Sequence, residues 1–168
     1  MKRYHQKLDE AKTLSDVFEL VKEGVRKVLH TGRAGLTLGL ADLGGDARTW
    51  VGAFYPLGSN TIVMNRMPLK WITKMNPPLF TAYAFHVLLH EYIHALGYIE
   101  EAHTRKLVYW ISRELFGEEH VVTQMSRDIS AFIPNVAYST EEAVQDNLEG
   151  VALEMVPDFD RSSVTYIM

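Results

Sequence analysis

The chain has 168 residues, 47% hydrophobic and 23% charged, the balance of a single domain with a real core. Its net charge of −4 and the lack of an evident basic cluster disfavour nucleic acid or an anionic membrane as partners. Cysteine is absent, which removes disulfides, thiolate ligands and cysteine nucleophiles together and leaves histidine and carboxylate to build any metal site.

The opening MKRYHQKLDEAK is basic but leads into no apolar run, and no stretch reaches the roughly 18 apolar residues of a membrane span. A soluble cytoplasmic protein is therefore expected. Leu14, Val17, Phe18, Val21, Val25, Val28 and Leu29 form the stripe of an amphipathic helix, with Thr13 and Asp16 at its start and Gly32 at its end. Leu36, Leu38 and Leu40 alternate with Thr37, Gly39 and Ala41 as in a strand, and Asp42 to Asp46 reads as a turn. Further strands are expected at Trp50 to Tyr55 and Thr61 to Asn65, joined by a turn over Pro56 to Asn60. Their simplest arrangement is a small antiparallel sheet.

Pro68 to Pro78 reads as a connector, with Pro77 and Pro78 favouring the start of a helix that Gly97 ends. A second amphipathic pattern runs from about Ile99 through Leu107, Trp110, Ile111 and Leu115 to Gly117, so the two helices should form an antiparallel hairpin. Glu118 to Ser130 is expected to be partly helical, Pro134 to break the chain, and Thr140 to Val151 to form another helix. No repeat or boundary divides residues 1–168, and the fold class is α+β, a small antiparallel or mixed sheet packed by helices.

The chemistry concentrates at His90, Glu91, Tyr92, Ile93 and His94, an H-E-x-x-H pattern inside LFTAYAFHVLLHEYIHAL. A helix apolar nearly all round belongs in a core. Histidines four apart on it lie about 40° apart and one turn along, so both imidazoles reach one metal ion. Glu91, about 100° from His90, is poorly placed as a ligand and well placed to act as general base on a water at the metal. Burying these groups without a partner would cost several kcal/mol, which a metal would relieve.

A catalytic zinc takes three protein ligands, and the candidates for the third are Glu100, Glu101, His103 and Glu114. In a hairpin the returning helix passes the metal near residues 100 to 103, leaving Glu114 some 16 Å beyond. With Glu100 as zero, Leu107, Trp110, Ile111 and Leu115 cluster around it in helical projection, so Glu100 is the predicted ligand. Glu101 and His103 stay open, the former also as a partner of Arg105. His86 reads as a core or supporting histidine, and His120 as a surface one.

HEYIHALGYIEEAH, residues 90 to 103, resembles the zincin superfamily of zinc metallopeptidases. HExxHxxG with an acid at the third place after glycine looks like small metzincin-like enzymes. A glutamate donated by a following helix looks like the gluzincins, thermolysin among them, and this chain falls between the two. It lacks an S-x-M-x-Y turn, Met125 in VTQMSRD being the nearest substitute. The resemblance implies a zincin-like fold, a peptide or protein substrate, and substrate held as an added strand along Thr61 to Asn65 at the sheet edge. The expected activity is zinc-dependent peptide hydrolysis, with Zn2+ on His90, His94 and Glu100 and with Glu91 as general base and acid. The alternatives are a silent metal-stabilised interaction module and a hydrolase of another bond. In the former, the tail DFDRSSVTYIM would plug the cleft, Asp158 or Asp160 facing the metal.

Overall fold

A computed structural model describes residues 3–43, 50–133, 136–137 and 152–160. The expected break at Pro134, the helix over Thr140 to Val151, most of the Asp42 to Asp46 turn and residues 161–168 lie outside them. Two helices open the described chain, α1 (Tyr4–Glu10) and α2 (Leu14–Leu29). A reciprocal cap starts α2: Thr13 Oγ1 accepts the Asp16 N–H at 3.0 Å, and Asp16 Oδ2 accepts the Thr13 N–H at 3.1 Å. It ends at His30, in the left-handed region at φ 57°, before the expected Gly32. Val17, Phe18, Val21 and Val25 are fully buried.

The strands are β1 (Thr37–Ala41), β2 (Trp50–Val51), β3 (Ala53–Phe54), β4 (Thr61–Asn65), β5 (Val136–Ala137) and β6 (Glu154–Met155). The main sheet runs β3-β4-β1-β6, and β2 pairs separately with β5. The antiparallel meander expected from the sequence is corrected to a mixed sheet: β1 and β4 run parallel, while β3–β4 and β1–β6 are antiparallel. The reason lies in burial on two faces. Ile62 and Met64 of β4 join the main core, whereas Val63 faces a second cluster with Ala41, Leu43 and Phe54. A strand covered on both sides takes the centre of a sheet, where strands are free to run parallel.

The expected connector also proves to be helical. Helix α3 (Arg66–Met75) starts where Asn65 Oδ1 accepts the Met67 N–H at 3.1 Å. Pro68 falls in its first turn, where a missing N–H breaks no intrahelical bond, and Pro68, Leu69 and Ile72 turn inward. A 3-10 turn over Pro77–Leu79 then feeds α4 (Phe80–Ala95), the central helix. Its Tyr92 ring meets Phe18 of α2 edge-on at 5.4 Å.

Helix α5 (Glu101–Phe116) runs back along α4. Phe116 at its end packs on Phe85 near the start of α4 at 5.0 Å, while Glu101 at its start reaches the histidines near the end of α4. This is the expected antiparallel hairpin. Helix α6 (Val121–Arg127) and a 3-10 turn at Ile129–Ala131 follow.

Residues 154–160 return to the body. Val156 N–H bonds the Leu38 carbonyl at 2.9 Å, Phe159 stacks on Phe18 at 4.1 Å, and buried Asp160 pairs with Lys22 and accepts the Leu36 N–H at 3.1 Å. The expectation that Asp160 faces a metal is thereby corrected. The carboxylate closes a clasp between α2 and the residue before β1, and with Glu19 at 3.1 Å it supplies the counter-charge that a buried lysine ammonium needs. No helix among the described residues is long and apolar enough to cross a membrane.

Candidate metal centre

The core position of α4 follows from its composition: thirteen of its sixteen residues are buried, His86, His90 and Glu91 among them. His90 and His94 sit one turn apart with ring centroids 5.0 Å from one another. Between them lies the carboxylate of Glu101, Oε1 2.7 Å from His90 Nε2 and Oε2 3.1 Å from His94 Nε2. One ligand atom from each of the three side chains falls within 4.8 Å of the others.

The end of α4 aims the second imidazole. After Ala95 the Gly97 N–H bonds the His94 carbonyl at 3.0 Å and the Tyr98 N–H bonds the Ile93 carbonyl at 3.4 Å. That is a Schellman stop, with Gly97 at φ 109°, where a side chain is strained. The turn presents the Tyr98 carbonyl to His94 Nδ1 at 2.7 Å. Buried Thr104, on the first turn of α5, donates its hydroxyl to the same carbonyl at 3.2 Å. His94 Nδ1 thus donates to the turn, which fixes the ring with Nε2 facing Glu101. Arg105 stands by the same carboxylate, with Nε 3.5 Å from Glu101 Oε1.

A second brace fixes the helix end. The Arg33 guanidinium donates to the Ala95 carbonyl at 2.9 Å, to the Tyr55 hydroxyl at 2.7 Å and to the Ser59 carbonyl at 2.9 Å. A cation on the last carbonyls of a helix is favourable to its dipole, and this one also ties α4 to the turn between β3 and β4.

The electrostatics suit a cation. Burial pushes the Glu91 carboxyl above its ordinary pKa, an effect the imidazoles of His90 and His94 oppose. For Glu101 burial acts upward too, but hydrogen bonds from both imidazoles hold it well below the usual carboxylate range. Burial draws His94 down, and Glu101, Glu91 and the Tyr98 carbonyl together bring it above its ordinary value.

The donor set is two imidazoles and one carboxylate, as in catalytic zinc sites that leave one position open. Zinc bonds of about 2.0 to 2.2 Å at tetrahedral angles place ligand atoms roughly 3.3 Å apart. Here one ligand atom from each of the three groups lies within 4.8 Å of the others, so modest side-chain adjustment brings them to that spacing. The residues present fit the ion.

The structure brings together His90, His94 and Glu101, with Glu91 buried beside them, and does not bring Glu100. Glu100 is the N-cap of α5, extended at φ −69° and ψ 124°, and exposed. Helical projection does not hold for residue 100, because α5 begins one residue later and the extended Glu100 backbone lies outside the 100° steps of the helix. His103 is exposed, its ring edge-on to Tyr98 at 5.3 Å. Glu114 lies about 20 Å along α5 from Glu101, beside Arg113 at 3.8 Å.

His86 is fully buried one turn before His90, and burial, then the charge of His90, lowers its pKa to about 3. His120, far from being a free surface histidine, caps α6 through Nδ1 and the Val122 N–H at 3.1 Å and stacks on Phe116 at 4.6 Å. Sequence reasoning missed Thr104, the Tyr98 carbonyl and Arg33. Thr104, three residues after Glu101 on the same helical face, carried a signal; Arg33, in a loop 62 residues from Ala95, carried none.

The implied edge strand also takes another place. β4 is paired with β1 along its length and with β3 at Val63 and Met64, so it is an inner strand of the sheet. The outer run is Trp50 to Phe54, of which β2 pairs in parallel with β5. No protein-family model, no curated protein and no solved structure matches this chain.

Proposed function

We propose that this protein is a zinc-dependent metallopeptidase of zincin-like design, binding Zn2+ through His90, His94 and Glu101. One observation carries the reading: a carboxylate from α5 is held between two imidazole Nε2 atoms of one buried helix, with Glu91 next to the first of them. When bound, zinc lowers the pKa of water toward 7 and polarises a scissile carbonyl. Glu91 takes the proton of the attacking water and passes it to the departing amine, a role suited to a carboxyl whose proton affinity burial has raised. His94, locked by Tyr98 and Thr104, and Glu101, steadied by Arg105, hold fixed positions throughout. The motif resemblance of residues 90 to 103 supports a peptide as substrate.

Elemental analysis of the purified protein against His90→Ala, paired with peptide cleavage by Glu91→Gln, tests the reading. The expected result is zinc near one equivalent in wild type and Glu91→Gln, none in His90→Ala, and cleavage by wild type alone. Full activity in metal-replete Glu91→Gln would refute the assignment of Glu91.

The pairing of β5 with β2 favours a second reading, a metal-stabilised module without turnover, because the chain's own strand occupies part of the outer edge. Wild-type protein that holds zinc yet cleaves no peptide decides for it.

A further inference from the structure

Helix α3 gives the surface a feature that the linear sequence hides. Arg66, Lys70 and Lys74 recur every fourth residue and so form one row with about 6 Å between neighbours. On one side of the row lies a groove of about 390 Å³ with an apolar floor of Leu14, Leu40, Leu69 and Phe80. On the other side run Met67, Trp71 and Met75, of which Met67 is 38% and Met75 62% exposed. Arg66 is already engaged by Asp42 at 3.1 Å and Glu154 at 2.6 Å. Lys70 and Lys74 are exposed and meet no carboxylate among the described residues. In a chain of net charge −4 they leave a local excess of positive charge beside exposed apolar surface.

We propose that this groove docks an acidic amphipathic helix of a partner protein. Leucine-like side chains would enter the groove, as amphipathic helices do elsewhere, and carboxylates spaced by four would face Lys70 and Lys74 in register, since both rows advance about 6 Å per step. Burial separates this occupant from an anionic bilayer: a bilayer needs a protruding apolar face, whereas Leu69 in the floor is buried and Leu14, Leu40 and Phe80 are half-buried, with exposed Lys70 and Lys74 beside them. The proposal is independent of the metal centre.

The test uses the full chain and calorimetric titration with an end-capped peptide of about 15 residues, long enough to be helical, bearing Leu on one face and Glu at four-residue spacing beside it. The Glu peptide is expected to bind, and binding is expected to weaken with salt. Lys70→Glu with Lys74→Glu should weaken it roughly tenfold or more, two exposed ion pairs being replaced by repulsion. A peptide with Lys in place of Glu should not bind. Equal binding of the two peptides, wild-type affinity in the double variant, or no binding to the Glu peptide would each overturn the proposal. Phosphatidylserine vesicles form a separate arm: if they bind and the peptide does not, the face is a membrane contact and the proposal fails.

Discussion

His94 Nδ1 lies 2.7 Å from the carbonyl oxygen of Tyr98, so the turn that stops the central helix also aims the second imidazole of the site. Gly97 permits the turn, and Thr104 from the next helix pins the carbonyl. Loosening either should therefore weaken zinc binding without removing a ligand. Thr104→Val is expected to lower zinc affinity about tenfold, the low end for loss of a group that orients a ligand, and Thr104→Ser to restore most of it. Gly97→Ala meets no neighbouring atom but costs about 1 to 3 kcal/mol of backbone strain. Competition with a chromophoric chelator measures both.

Glu101 and Glu100 are adjacent in sequence and unequal in position. Glu101→Gln should abolish stoichiometric zinc at neutral pH, because an amide has no charge to offer between His90 and His94. Glu100→Gln, at an exposed helix cap with no side-chain capping bond, should leave zinc content unchanged. Metal content per chain after gel filtration reads the difference directly, and the reverse result would restore Glu100 as ligand.

Zinc should stabilise the chain by mass action, since the three groups converge only when α4 and α5 are packed together. At free zinc a thousandfold above Kd the gain is about 4 kcal/mol. Thermal unfolding with and without chelator should show a rise that His90→Ala eliminates. An unchanged melting temperature in wild type at saturating zinc would contradict the site.

The Lys22–Asp160 pair predicts a stability effect remote from the site. Both side chains are nearly inaccessible, at 9% and 4% exposure, and without Asp160 the Lys22 ammonium keeps the more exposed Glu19 carboxylate, at 3.1 Å, while the Leu36 N–H loses its acceptor. Asp160→Ala should lower the unfolding free energy by about 2 kcal/mol in urea, less than for a buried charge left with no partner. Lys22→Met combined with Asp160→Leu should recover much of that loss, because no charge is then left buried. Zinc affinity should not change in either variant.

His86 predicts an acid-sensitive stability. Its folded pKa is lowered to about 3, against about 6.5 in the unfolded chain. Between those values the unfolded chain binds more protons, so stability rises with pH across the window. Stability is accordingly lost as pH falls from about 6.5 toward 3. His86→Met should flatten that slope in chelator-treated protein, measured as urea midpoints at several pH values. An identical slope in the variant would show that His86 does not titrate on unfolding.

Several features were legible because they depend on spacing along one element. The stripe Leu14 to Leu29, the Thr13–Asp16 cap, the all-apolar central helix and its Gly97 stop are local, and the structure reproduces them. Helix α3 is equally local: Asn65 is a good cap and Leu69 and Ile72 share a face, yet Pro68 to Pro78 reads as a connector although a first-turn proline is compatible with a helix. The parallel pairing of β1 with β4 left no such trace, because it depends on which strand is covered on both faces.

By itself the sequence determined that two imidazoles share one face of a buried helix with Glu91 beside them, since helical pitch sets the positions of residues four apart whatever surrounds them. Only the tertiary structure decided that Glu101 stands between them, that Asp160 closes on Lys22, and that Arg33 braces the helix end. These depend on the residue at which a helix starts and on where distant segments return. A shift of one residue turns a side chain by 100°, and contacts across 60 to 140 positions are set by packing, not by any local period.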